Sequence, residues 1–125
     1  DQNVGMIFPK PYNGVEKYNE EDSWRENWLK SKELSERLGL IIERDMAIDF
    51  PSGSMFWFRP DSLKGLFNLK LTINDFEYNL NVDGTYAHAI ERLFALIVKK
   101  EGYKYRTVLF KEWDKSKVFT ITSFN

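Results

Sequence analysis

The stretch from Thr85 to Glu101 constrains this chain more than any other, because its apolar residues recur at helical spacing. Tyr86, Ala87, Ile90, Leu93, Phe94, Ile97 and Val98 fall on one wide face, which predicts a deeply packed helix. Lys99 and Lys100 sit in its last turn, where cations complement the carbonyl end, and Gly102 follows as a natural stop. A face this broad has to be covered by the rest of the chain.

Two other segments are suited to cover it. Trp24, Trp28, Leu34, Leu38 and Ile41 fall within an arc of about 140° at 100° per residue, so they predict a second helix with one buried stripe. Asp22 or Ser23 can cap its start, and Gly39 can end it in a left-handed conformation. VGMIFP, residues 4–9, reads as a short buried strand, followed by a polar loop with Pro11, Asn13 and Gly14.

Past the second helix, SMFWFR reads as a buried strand entered through a Pro-Ser-Gly turn. Pro60 suits a first helical position, with Asp61 and Ser62 behind it and Leu63, Leu66 and Phe67 as the apolar face of a short helix. Residues 69–84 read as loop or edge strand closed by Asp83-Gly84, and KYRTVLF and KVFTITSF are strand candidates in the tail. The expected fold is α/β: a small mixed β-sheet packed with about three helices. It occupies residues 1–125 as a single domain or part of one, with 1–22 and 106–125 the least defined stretches.

Composition narrows the function classes. The formal net charge of −1 and the interleaving of bases with acids give no field for a nucleic-acid backbone. The absence of cysteine excludes disulfides and thiolate metal sites, and no apolar run approaches the roughly 20 residues of a membrane span. The chain starts at Asp1 rather than methionine, which fits a fragment of a longer protein.

Four constellations could carry chemistry. Gly53 between Ser52 and Ser54 permits a tight turn or a close backbone approach to a ligand, and Arg59 could pair with a carboxylate or a phosphate. Asp83 at the start of the long helix could serve as its N-cap or as a general base facing a cleft. His88, the single histidine, lies one turn from Glu91 and Arg92, so the three could form a hydrogen-bonded cluster beside Asp83 or a purely structural one. Asp45, Asp49, Asp75 and Glu77 are scattered, and no D-x-D triplet occurs. A metal site built from this chain alone is not expected.

The wording of these segments adds what periodicity does not. FPSGSMFWFRPDSLKGLF, INDFE and DGTYAHAIERLFALIVKKEGY, with weaker support from VGMIFP and WRENW…LSERLGL, resemble the rhamnan synthesis protein F family of bacterial polysaccharide glycosyltransferases. The resemblance covers roughly residues 4–105. It implies transfer of rhamnose or a related hexose from a nucleotide-sugar donor to a lipid-linked saccharide acceptor, at the cytoplasmic face of the membrane. The fold implied is the acceptor-side half of a GT-A-like glycosyltransferase, with the donor half and any divalent metal belonging to the full-length enzyme. Gly53 and Ser54 would then wall the sugar, and Phe56 or Trp57 would stack on it. Asp83 would be the catalytic base, with His88, Glu91 and Arg92 orienting it or contacting diphosphate. The rival expectation is a non-catalytic carbohydrate-binding or interaction module of a larger biosynthetic protein. A hydrolase would need two carboxylates about 5–9 Å apart, whereas Asp83 and Glu91 stand nearly two helical turns from each other.

Overall fold

A computed structural model describes residues 2–10, 23–79 and 82–108. The long periodic segment is a helix, α3, at Tyr86–Lys100, and the other elements follow from what it must bury. Preceding it are strand β1 at Val4–Pro9, helix α1 at Trp28–Leu38, strand β2 at Trp57–Phe58 and the short helix α2 at Lys64–Asn68. Strand β3, Lys104–Val108, follows α3 directly. The candidate strand KVFTITSF and the candidate cap Asp22 lie outside the described residues.

The three strands form one mixed sheet in the order β2-β1-β3, with β1 antiparallel to β2 and parallel to β3. Met6 and Phe8 of β1 point to the helical side and are buried with Leu34 and Leu38 of α1 and Ile90, Leu93, Ile97 and Val98 of α3. Trp24, Ile42, Leu63, Tyr86 and Ala95 complete that core. Ile7, between Met6 and Phe8, points to the other face, as the two-residue period of a strand requires. Gly5 admits no side chain: an added Cβ would stand 2.6 Å from the Cβ atoms of both Ser62 and Tyr103. Its carbonyl accepts from Ser62 Oγ at 2.8 Å, so the missing side chain lets the strand and the Pro60–Leu63 turn touch.

Several expectations are corrected. The segment 54–59 is not a buried strand. It supplies two paired residues at the sheet edge, with Trp57 exposed, because among the described residues nothing covers that side. Helix α1 has no side-chain cap: a 3-10 turn, Arg25–Asn27, leads into it, and Ser23 Oγ instead accepts from the Ile48 amide at 3.4 Å. Gly39 ends α1 at φ 64°, so Ile41 falls beyond the stripe and is exposed, while Ile42 is buried. Phe67 is exposed, leaving Leu63 as the anchor of its short segment. On α3 the buried alanines are Ala89 and Ala95, and Ala87 faces solvent.

Glu77, read above as part of a scatter, joins the two long helices. It ion-pairs with Lys30 of α1, and its Oε2 accepts from the Tyr86 amide, the first of α3, at 2.9 Å. The Lys30 partner, then that amide, lower its pKa from 4.5 to about 2. A depressed folded-state value means stability that is present above the unfolded pKa and lost as pH falls through the folded one. Stability is therefore expected to decline between about pH 4.5 and about pH 2. Glu77→Gln should remove part of that slope in denaturant midpoints measured across the window. Because Glu77 is solvent-exposed, screening keeps the contribution modest. Equal slopes in the two proteins would rule this role out.

Candidate functional site

The predicted site residues divide into three local groups rather than one cluster. The first is built around Asp83. Its Oδ1 accepts from Asn27 Nδ2 at 2.5 Å, and Asn27 Oδ1 accepts from the Gly84 amide at 2.9 Å. Asn27 is fully buried, so both halves of its amide are fixed and the half-buried carboxylate is held in one orientation. Among the described residues no second donor reaches this carboxylate. Asp83 is not the cap of α3. That place belongs to Thr85, whose Oγ1 accepts from the His88 amide at 3.4 Å.

His88 belongs to the same turn. Its Nδ1 lies 2.7 Å from Thr85 Oγ1. That hydroxyl also accepts from the His88 amide, and which group donates across the Oγ1–Nδ1 contact follows the tautomer of the ring. Thr85 thereby orients the histidine, and Glu91 and Arg92 do not.

The second group lies about two turns further along α3, roughly 9–12 Å from Asp83 at 1.5 Å per residue. Gly53 at φ 75° and Ser54 at φ 54° are consecutive left-handed residues. Their amides both donate to Glu91 Oε1, at 2.7 and 3.2 Å. Successive amides turned this way form a concavity that attracts an anion, and the chain's own carboxylate occupies it. Glu91 Oε2 accepts from Arg92 Nη1 at 2.7 Å. Arg92 is buried, with its guanidinium carbon 3.9 Å from the Phe50 ring centroid. Glu91 and Arg92 are thus occupied in holding the 53–54 turn to the helix.

The third group is a shallow cleft of about 400 Å³ on the sheet face opposite the core, lined among others by Ile7, Trp57, Arg59 and Arg106. Phe56 turns away from it and packs against Phe94, ring centroids 4.6 Å apart. Of the two aromatic residues expected to stack on a sugar, only Trp57 presents its ring. The Tyr105 hydroxyl donates to Asp49 at 2.7 Å, and burial followed by that acceptor pushes its phenol well up, so it stays protonated.

Asn27 and Phe50 were missed by sequence reasoning. Asn27 carried a signal: it stands three residues after Trp24 and seven before Leu34, on the buried stripe, where a polar side chain needs a partner. Among the described residues no three metal-capable side chains converge, and no helix is long and apolar enough to cross a membrane.

Comparison with known proteins follows the same line. The family profile described as rhamnan synthesis protein F matches residues 1–103. Over 60 residues the chain is 45% identical to the uncharacterized protein WxcX of Xanthomonas campestris pv. campestris, in strain B100 and in strain ATCC 33913 alike. That match takes in 47% of this chain and 9% of the relative, so the chain spans a small part of the curated relatives it matches. No solved structure matches.

Proposed function

This chain belongs to the rhamnan synthesis protein F family, and from that premise we propose that it is the acceptor-side part of a polysaccharide glycosyltransferase. The enzyme would transfer a rhamnose-like hexose from a nucleotide-sugar donor to a lipid-linked saccharide at the inner face of the membrane. The small sheet and its helices would form one unit of a GT-A-like enzyme, with the donor-binding half supplied by the rest of a longer protein.

The observation that supports this reading most is the oriented carboxylate of Asp83. A general base needs a fixed direction and room for the hydroxyl it deprotonates. Asn27 supplies the first by holding Oδ1, and partial exposure at the mouth of α3 supplies the second. In the proposed step Asp83 takes the proton of an acceptor hydroxyl as its oxygen bonds to the anomeric carbon. The bond from that carbon to the donor's phosphate oxygen breaks, and the nucleoside diphosphate departs with the electron pair. His88 stands one turn further on, its ring held through Nδ1 by Thr85, where it would hydrogen-bond the acceptor.

Asp83→Asn keeps an oxygen for Asn27 to bond and removes the basicity. In the full-length protein the sugar-transfer rate should fall about 100-fold or more, with thermal unfolding unchanged. Transfer at the parent rate by a folded variant would remove Asp83 from the base role. The outward ring of Trp57 favours a second reading, a carbohydrate-binding module without turnover. That reading expects saccharide binding but no transfer even by the full-length protein.

A further inference from the structure

We infer that the cleft on the open sheet face is a subsite for a phosphorylated sugar, one that grips the ring on Trp57 and the phosphate on Arg59 and Arg106. The register of the sheet sets this up. Ile7 of β1 pairs with Trp57 on one side and with Arg106 on the other, so the three side chains stand abreast on the same face. Arg59, two residues beyond Trp57, shares that face by strand alternation. Its Nε donates to the Val4 carbonyl at 2.7 Å, which fixes the guanidinium at the cleft wall. Among the described residues Arg59 makes no ion pair.

The chemistry of this surface selects its ligand. Trp57 is 73% exposed, at the rim of a concavity rather than on a flat or convex surface. An indole face offers negative quadrupole density to the weakly positive C–H face of a pyranose. Among the described residues the lining holds Arg59 and Arg106 and no acid, so an anionic group is favoured, and the planar fork of arginine matches phosphate oxygens. At about 400 Å³ the cleft lies in the range of small-molecule sites. A glycosyl phosphate satisfies all three conditions. The choice of a sugar rests on the function proposed above. The cleft itself does not involve Asp83, because it lies on the face that α3 leaves uncovered.

The test is a titration of the folded chain with glucose 1-phosphate, glucose and inorganic phosphate, followed by the indole N–H signals of its four tryptophans in a proton–nitrogen correlation spectrum. The Trp57 signal, assigned by its loss in Trp57→Ala, should move with glucose 1-phosphate and move far less with either fragment alone. The buried Trp24 signal should stay in place. Trp57→Ala and Arg59→Gln should each weaken binding at least tenfold, and since the Trp57 ring is exposed the first variant remains folded. A nucleotide sugar and a lipid-linked phosphosaccharide in micelles, titrated in parallel, separate the two sources of the phosphate. Equal responses to glucose and glucose 1-phosphate, unaltered affinity in Trp57→Ala, or a response confined to anionic phosphatidylglycerol vesicles would each overturn the subsite. If Trp57 responds while Asp83→Asn transfers normally, the subsite stands and the base assignment fails. The reverse pattern removes the subsite alone.

Discussion

Replacing Glu91 with alanine should lower folding stability by about 3–5 kcal/mol, read as a fall in urea midpoint at unchanged slope. The cost arises mainly from the residue left behind. Arg92 has a side chain only 4% exposed, and Glu91 is its ion-pair partner at 2.7 Å. Among the described residues its buried Nε has no hydrogen-bond partner, so the guanidinium has little reserve. Without Glu91 a full charge remains in the core, set against the Phe50 ring face. The Gly53 and Ser54 amides lose their acceptor as well, and Ser54 is held at φ 54°, a region a non-glycine residue avoids. The double variant Glu91→Ala/Arg92→Met separates these causes. Removing the stranded charge should recover more than half of the loss, because an apolar pair in such a place is often as stable as an ionic one. A loss below about 1 kcal/mol in Glu91→Ala would show that water reaches the guanidinium and that the pair behaves as a surface one.

The second large effect belongs to Trp24. Its ring is fully buried between α1 and the core, it meets Trp28 edge-on at 5.7 Å, and its Nε1 donates to the Glu43 carbonyl at 3.0 Å. Trp24→Ala should cost about 3–5 kcal/mol, combining lost transfer energy with a cavity that the helices cannot close. Against a total of about 5–15 kcal/mol for an ordinary domain, that leaves the chain close to unfolding at body temperature. Trp24→Phe keeps most of the apolar contact and gives up the hydrogen bond, so it should cost less than half as much. A thermal melt that ranks Phe as badly as Ala would place the stabilisation in the Glu43 bond instead of in packing.

What the sequence revealed and what it hid divide along a physical line. Strand β1, the span of α3 and the stop at Gly39 were legible because each is decided by residues within one or two turns of one another. The burial of SMFWFR was misread for the opposite reason. Aromatic content states that a segment can be buried, but whether it is depends on a covering layer, and Trp57 faces the uncovered side of the sheet. The Asp83 cap failed similarly. Asn27, 56 residues away, claims that carboxylate and leaves the cap to Thr85, already a competent one. Glu91 looked like a neighbour of His88 by helix geometry, yet beside Arg92 its partners are amides 37 and 38 residues earlier in the chain. The resemblance to a family crossed that distance because its wording combines segments whose contacts no local rule reports.

The place of β1 in the sheet has a consequence in time. The central strand precedes both of its neighbours: the antiparallel one begins at Trp57 and the parallel one at Lys104. On a ribosome β1, once made, must wait for about a hundred further residues before its second edge can be paired. The α1–α3 contact also spans dozens of residues, but it forms between helices that satisfy their own backbones, whereas β1 cannot. Closing the sheet is therefore the step with the longest loop to shut, and the slow, topology-limited part of folding falls on the residues that carry the cleft.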